Sequence, residues 1–359
     1  MGIDTEKRDR LDAYLAREDL EAVWFARPST FAWLTGGSNV VDREPETGEA
    51  AAGYDGDELT VITTNIEAPR LADEQLDADT TAESFPWYET SLADAVAERS
   101  PTPAAADFDV GGMGQIEAAR LRIPLTDVDV DRYRTLGTET AAAVEAVGSD
   151  IDADDTERAV AARLRKNLFA RGIDSPVVLV AGAERAQKYR HFPATDAALG
   201  DYALLSVTGA RDGLHASTTR TVAFDPPEWL EARHEATMTV DAAAIAATSR
   251  FAGEGTASDV FSVVRDAYAD ADYPGEWRKH HQGGAAGFAG REWKATPTGP
   301  QMIEKPMAYA WNPTVEGAKS EDTVLVADDE IETLTATGEW PTREIDTEEG
   351  TVVRHAIGP

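Results

Sequence analysis

Cysteine is absent from all 359 residues, which excludes disulfides, thiolate metal sites and cysteine nucleophiles. Lysine is scarce, at seven positions, and all basic residues together number 33 against 66 acidic ones, a formal net charge of −33. A surface this negative repels phosphate backbones and anionic membranes, so nucleic acid is not an expected partner. No apolar run approaches the roughly 18 residues of a membrane span. The opening segment MGIDTEKRDRLDAYL is polar and helical, with no signal-peptide core, so the expectation is a cytoplasmic protein that leaves membranes alone.

The acids are not gathered into a disordered tail. They are spread along the chain with apolar residues between them, and hydrophobic residues make up 42% with eight Trp, as in a folded protein. Abundant Asp with little Lys is the surface of a protein kept hydrated in concentrated salt, where a Debye length of about 3 Å at 1 M screens the self-repulsion. This halophilic character describes the surface and leaves the function open.

The length favours two domains. In the first, Arg8 to Arg17 has helical spacing, while Ala22 to Ala26 (AVWFA) and Leu59 to Thr63 (LTVIT) read as buried strands, a mixture typical of α/β structure. The acidic, Gly-containing stretch from Asp42 to Asp57 reads as a surface loop. The apolar cluster ending at Leu125 closes this domain, giving a boundary near residue 128 and segments 1–128 and 129–359. Beyond it, Val130 to Val147 reads as a long helix, and Asp154 to Gly172 as a second with Asp154 and Asp155 as N-cap candidates. Strand-like SPVVLVAG, DYALLSV and GLHASTTRTVAF follow, then helices at Arg233 to Thr248 and Asp259 to Ala269, then MAYAWNP, DTVLVAD and IETLTAT. Strands around two helix pairs predict an α+β domain with a curved antiparallel sheet.

Chemistry-bearing residues gather in five segments: KYRHFPATD, GDYALLSVTGARDGLHASTTRT, HHQGGAAGFAGRE, AWNPTVEGAKSEDTVLV and ETLT. Of six histidines, four (His191, His215, His280 and His281) fall inside them. An imidazole with a pKa near ~6.5 exchanges protons at neutral pH, and a neighbouring carboxylate such as Glu321 or Glu292 orients it. Structural roles compete with each assignment: Arg291 and Glu292 as a surface ion pair, Glu321 as a turn cap, Trp293, Tyr309 and Trp311 as pocket wall. His215 shares a strand face with Ser217 by two-residue alternation. His234 and His355 read as surface residues. A nucleophilic serine would need an oriented base and an oxyanion hole, and neither is legible.

In this order the five segments resemble the pita-bread superfamily of aminopeptidase P, prolidase, methionine aminopeptidase and creatinase. RLDAYLAREDLEAVWFARPSTFAWLTG is similar to the creatinase-type opening. The resemblance implies a smaller amino-terminal α/β domain, a carboxy-terminal pita-bread domain, a homodimer, and a peptide or small-molecule substrate. Metalloenzymes of the family use two Asp eleven positions apart, one His and two Glu. Carried onto this sequence, the Asp positions hold Ser206 and Ser217, the His position Gly284, and the first Glu position Asn312, while the last keeps Glu321. On this alignment four of the five ligands are missing, or three if His281 substitutes locally for the histidine. His191 matches the family's substrate-contacting histidine, His280 an earlier histidine, and Arg291 stands where a later one is expected.

Two divalent ions bring +4, against −1 from Glu321, and neutral Ser and Asn oxygens are poor replacements. The residues therefore argue against a bound pair of Mn, Co or Zn, and no cofactor is expected. Creatinase, which lacks metal, is the precedent for a hydrolase that splits a carbon–nitrogen bond with a histidine and carboxylates. That reading makes His191, Glu321 and Glu292 catalytic, and His280, His281, Arg291, Ser206, Ser217 and Asn312 substrate-binding. Two others stay open: an inactive pita-bread protein that binds a peptide or metabolite, and an Xaa-Pro peptidase with an altered metal site.

Overall fold

The structure, a computed structural model, describes residues 3–78, 80–328 and 330–359; Met1 and Gly2 of the polar opening segment lie outside them. The chain divides into two compact units, Met1–Thr126 and Asp127–Pro359. It is a mixed α+β protein.

The first unit contains α1 (Thr5–Glu18), β1 (Ala22–Phe25), α2 (Pro28–Thr35), β2 (Ala50–Tyr54), β3 (Leu59–Thr64), α3 (Ala68–Glu74), β4 (Thr81–Phe85), α4 (Leu92–Arg99), β5 (Ala104–Ala106) and β6 (Gly114–Gln115). Its six strands form one mixed sheet in the order β4-β3-β2-β1-β5-β6. Every residue of β1 and β2 is buried, as in a sheet covered on both faces.

β2 corrects the reading of Asp42 to Asp57 as a surface loop. Its AAAGY run lacks the β-branched residues that mark strands, yet it pairs with both β1 and β3. Gly53 lies opposite Trp24, where a Cβ would come within 2.5 Å of the indole ring. The Asn39 amide donates to the carbonyls of Ala26 (2.9 Å) and Ala50 (2.8 Å), tying the chain before β2 into the core.

The second unit begins with α5 (Asp127–Gly148) and α6 (Glu157–Phe169), followed by β7 (Asp174–Gly182), α7 (Ala183–Lys188), β8 (Tyr202–Arg211) and β9 (Leu214–Ala223). The N-cap of α6 is Thr156, whose hydroxyl accepts from Ala159 N at 3.2 Å. Neither Asp154 nor Asp155 fills that place; Asp155 pairs instead with Arg163 at 2.8 Å. β7, β8 and β9 form an antiparallel meander. Its last turn uses Asp212 and Gly213, both at positive φ (52° and 81°), as a tight hairpin demands.

Then come α8 (Trp229–Phe251), α9 (Ala257–Asp270), β10 (Gly283–Ala286), β11 (Met307–Trp311), the short pair β12 (Thr314–Val315) and β13 (Ala318–Lys319), β14 (Asp322–Ala327) and β15 (Glu330–Thr333). β10, β11, β14 and β15 make a second antiparallel sheet. The predicted pairs exist: α5 packs on α6, and α8 on α9. A hairpin of β16 (Thr342–Thr347) and β17 (Gly350–His355) closes the chain and packs on α8; it was not predicted, because its charged, largely exposed β16 carries little apolar alternation.

The two sheets meet along β9 and β14. Thr219 N donates to the Glu321 carbonyl at 2.9 Å, and the Thr323 hydroxyl accepts from Ser217 N (2.8 Å) and donates to Ser217 O (3.0 Å). A threonine side chain thus continues the strand ladder where the backbones diverge.

Candidate active site

Glu321 sits at that seam, immediately before β14, and is 5% exposed. Its Oε2 accepts from Lys319 Nζ at 2.7 Å, the Thr219 hydroxyl at 2.8 Å and Ser206 Oγ at 3.1 Å. Oε1 accepts from Arg291 Nη2 at 2.9 Å and, at the limit of a hydrogen bond, from Asn312 Nδ2 at 3.5 Å. Burial alone would raise this carboxyl's pKa; the Lys319 ammonium and the Arg291 guanidinium overcome burial and hold it at about 2. The carboxylate is ionised and both oxygens are engaged.

Each partner is positioned by the sheets. Ser206 on β8 faces Thr219 on β9, and Thr208 faces Ser217 two pairs along, so alternation places all four hydroxyls on one face. Ser217 bonds Thr208 at 2.9 Å and accepts from Arg291 Nη1 at 3.3 Å. Lys319, at the end of β13, also donates to Ser206 Oγ at 2.9 Å. The predicted residues Ser206, Ser217, Arg291, Asn312 and Glu321 are therefore one hydrogen-bonded cluster, and Lys319 and Thr219 belong to it as well. Lys319 was not predicted. In EGAKSED it reads as an ordinary solvated lysine, and only the turn back from β13 to β14 buries it.

His191, His280 and His281 form a second group. His191 follows α7, beside Phe192, which is buried in a cluster with Ala186, Tyr202 and Leu204, and Pro193, which bridges to Leu179. Arg190 joins this segment to Glu276 at 2.9 Å, four residues before His280, and Gln282 braces the His280 carbonyl at 2.7 Å. His191 Nε2 and His280 Nε2 lie 3.1 Å apart, and the His280 and His281 rings stack at 4.3 Å. Burial, then the Lys319 charge, lowers the pKa of His280 to about 2; burial and Arg291 lower that of His281 to about 4; His191, the most exposed, shifts in the same direction through burial, Lys319 and Lys294.

Glu292 is half-buried and lies against Gly287, where an added Cβ would stand 3.2 Å from its Oε1. His215 uses Nδ1 on its own turn, toward Gly213 O at 2.9 Å. The chain at Gly284 leaves no space for a side chain, since a Cβ would fall 2.2 Å from the Trp293 carbonyl.

His234 and His355 are not surface residues. They are 4% and 8% exposed, and His355 belongs to a buried ionic network. Asp322 Oδ2 accepts from His355 Nδ1 and Arg354 Nη2, both at 2.7 Å, and Oδ1 from Arg220 Nη1 at 2.9 Å. Arg220 also binds Glu145 on α5 at 2.8 Å, and Arg354 binds Asp241 on α8 at 2.7 Å. These ions pin β9, β14, β17 and two helices around the residue next to Glu321. Isolated charges on a strand or helix give no sign in sequence that they will meet in the core.

The model of "Metallopeptidase family M24" matches residues 131–328. The chain belongs to this family. No curated protein matches the sequence. Among solved structures, the prolidase of Pyrococcus horikoshii OT3 superposes with a TM-score of 0.75 at 17% identity, covering 93% of this chain and 99% of that one. The Xaa-Pro dipeptidase of Bacillus anthracis gives 0.73 at 15% identity, covering 92% and 97%. The N-terminal domain of the FACT complex subunit SPT16 of chickpea gives 0.68 at 13%, covering 94% and 98%. At these identities the likeness is one of fold, and it confirms the pita-bread architecture expected of the M24 family. No helix among the described residues is long and apolar enough to cross a membrane.

Proposed function

We propose that this M24 member is a hydrolase of a carbon–nitrogen bond in a small amide, amidino or dipeptide-like substrate bearing a carboxylate, and that it works without the family's metal pair. One observation carries the reading: Glu321, the one family ligand kept, is clamped by Lys319 at 2.7 Å and Arg291 at 2.9 Å. The residues present do not suit two divalent ions. Ser206, Ser217 and Asn312 offer neutral oxygens, Gly284 has no room for a ligand, and two cationic side chains already neutralise the remaining carboxylate.

Two cations against one carboxylate leave the cluster with a net charge of +1, suited to a substrate carboxylate or a developing oxyanion. Arg291 Nε and Asn312 Oδ1 are buried and lack a hydrogen-bond partner in the protein, so a donor and an acceptor remain for a ligand. His191 is neutral at pH 7 and exposed. It takes the proton from the attacking water as the water oxygen bonds to carbon, then returns it to the nitrogen as the carbon–nitrogen bond breaks. Glu321, fixed by its partners, positions the cations. Glu292 is left to orient water or substrate.

The test is hydrolysis by chelator-treated protein of a panel of amidino compounds and dipeptides, with His191→Gln alongside. Expected are turnover that survives chelation and its loss in the variant; activity abolished by chelation and restored by Mn, Co or Zn would overturn the reading. The second reading, ligand binding without turnover, is favoured by the saturation of Glu321. It predicts thermal stabilisation by carboxylate-bearing peptides with no product formed.

A further inference from the structure

We infer that His191, His280 and His281 form a site for a single divalent transition ion of the zinc class, separate from the positions that the family's ligands occupy. One donor nitrogen from each of the three lies within 4.8 Å of the others. The His191–His280 pair already has its Nε2 atoms 3.1 Å apart. Three imidazoles around a tetrahedral ion, with metal–nitrogen bonds of about 2.0–2.1 Å, need nitrogens about 3.3 Å apart. One pair meets that spacing, and a ring rotation brings in the third. His281 has that freedom at nitrogen, since its Nδ1 is buried and unpartnered, as is the Nδ1 of His280.

Three further observations agree. The two facing Nε2 atoms share one hydrogen-bonding proton, and a metal ion can take its place between the same two nitrogens. Neutral imidazole is the form that binds metal, and it is the predominant form of an ordinary histidine at pH 7. His191 is exposed, which provides an entry path. The nearby Lys319, Arg291 and Lys294 charges oppose a cation, and Glu321, shared between Lys319 at 2.7 Å and Arg291 at 2.9 Å, offsets only part of them, so the affinity falls below that of three histidines in neutral surroundings. Imidazole donors select Zn, Cu, Ni or Co over Mg, Ca or Mn. Three protein ligands leave one position for water.

Binding stands independently of the proposed hydrolysis; only its consequence rests on that reading. An ion takes the His191 lone pair that the reaction requires, so metal occupancy switches turnover off.

The experiment titrates the chelator-washed full chain with Co²⁺, followed by ligand-field absorption and calorimetry, then with Mg²⁺ as control. Expected is one Co²⁺ per chain with a tetrahedral spectrum, weakened at least about tenfold in His191→Gln and in His281→Gln, and no comparable Mg²⁺ binding. Circular dichroism checks that both variants fold; His191, at an exposed position, is the safer of the two. No saturable binding, or binding unchanged in both folded variants, overturns the site. Co²⁺ binding in a protein with no hydrolytic activity leaves the site standing and removes the function proposed above. Undiminished hydrolysis at saturating Co²⁺ overturns the switch.

Discussion

Lys319 and Glu321 face each other across one residue, with Nζ 2.7 Å from Oε2, and both side chains are about 5% exposed. A buried pair of this kind is costly to break from one side, because the survivor keeps its charge without compensation. Lys319→Met should destabilise the protein toward the lower end of about 3–5 kcal/mol, since Arg291 still reaches Glu321. In denaturant unfolding, Lys319→Met combined with Glu321→Gln should cost less than the sum of the two single variants by about 0.5–3 kcal/mol. Strict additivity would mean that the pair is not coupled.

Asp322 carries a heavier load. It receives Arg220, Arg354 and His355, and all of these contacts are buried. Burial alone would push its carboxyl up; the neighbouring His355, Arg220 and Arg354 charges hold it well below the usual range. Asp322→Asn leaves two buried guanidinium groups short of one counter-charge, for an expected loss of about 3–5 kcal/mol. The readout is the unfolding midpoint, with Asp346→Asn on the exposed hairpin as a control within about 0.5 kcal/mol of the parent. Equal effects in the two variants would contradict the network's role.

The family and the mixed α+β fold were legible because they reside in local patterns: helix spacing, strand runs, and five motifs in order. The motifs that carry Ser206, Ser217, Arg291, Asn312 and Glu321 were legible for the same reason, and the fold brings these five side chains into one hydrogen-bonded cluster. Lys319 was not, since its partner lies across a turn that only the fold defines. β2 stayed hidden because Ala-Ala-Ala-Gly-Tyr is buried for its smallness against Trp24, a pairing visible only in register. His234 and His355 misled because a lone histidine carries no mark of depth. For β2, His234 and His355 a contact distant in sequence decided the outcome; for Lys319 the partner is two residues away, and only the burial of both was hidden.

Acid should weaken the fold from about pH 6.5 downward, above the range in which ordinary carboxylates titrate. Burial lowers the His234 pKa to about 4, while His280 and His281 fall to about 2 and about 4. Each binds fewer protons folded than unfolded between its unfolded value of about 6.5 and its folded value. The stability they allow is complete above about pH 6.5 and declines as pH falls toward 4. Asp241, raised to about 6 by burial in spite of Arg354, and Asp107, also raised by burial, work the other way, but four lowered imidazoles, His191 included, outweigh two carboxyls. Unfolding free energy measured from pH 7 to 4 should therefore fall, with a shallower slope in His234→Asn. A flat profile over that range would mean that these rings are protonated in the native state.

Salt should act in the opposite direction to its usual effect on surface ion pairs. A net charge of −33 makes self-repulsion the dominant long-range surface term, and exposed pairs such as Arg158–Asp196, at 2.7 Å, contribute little each. Raising NaCl from about 0.1 M to about 1 M shortens the Debye length from about 10 Å to about 3 Å. That screens the repulsion between distant acids more than it weakens contacts already within hydrogen-bonding distance. The melting temperature should rise monotonically over this range. Sodium sulfate should raise it further, because its exclusion from the protein surface favours burial in addition to screening. A melting temperature that falls with NaCl would show that the surface ion pairs, and not the excess of acids, set the stability of this chain.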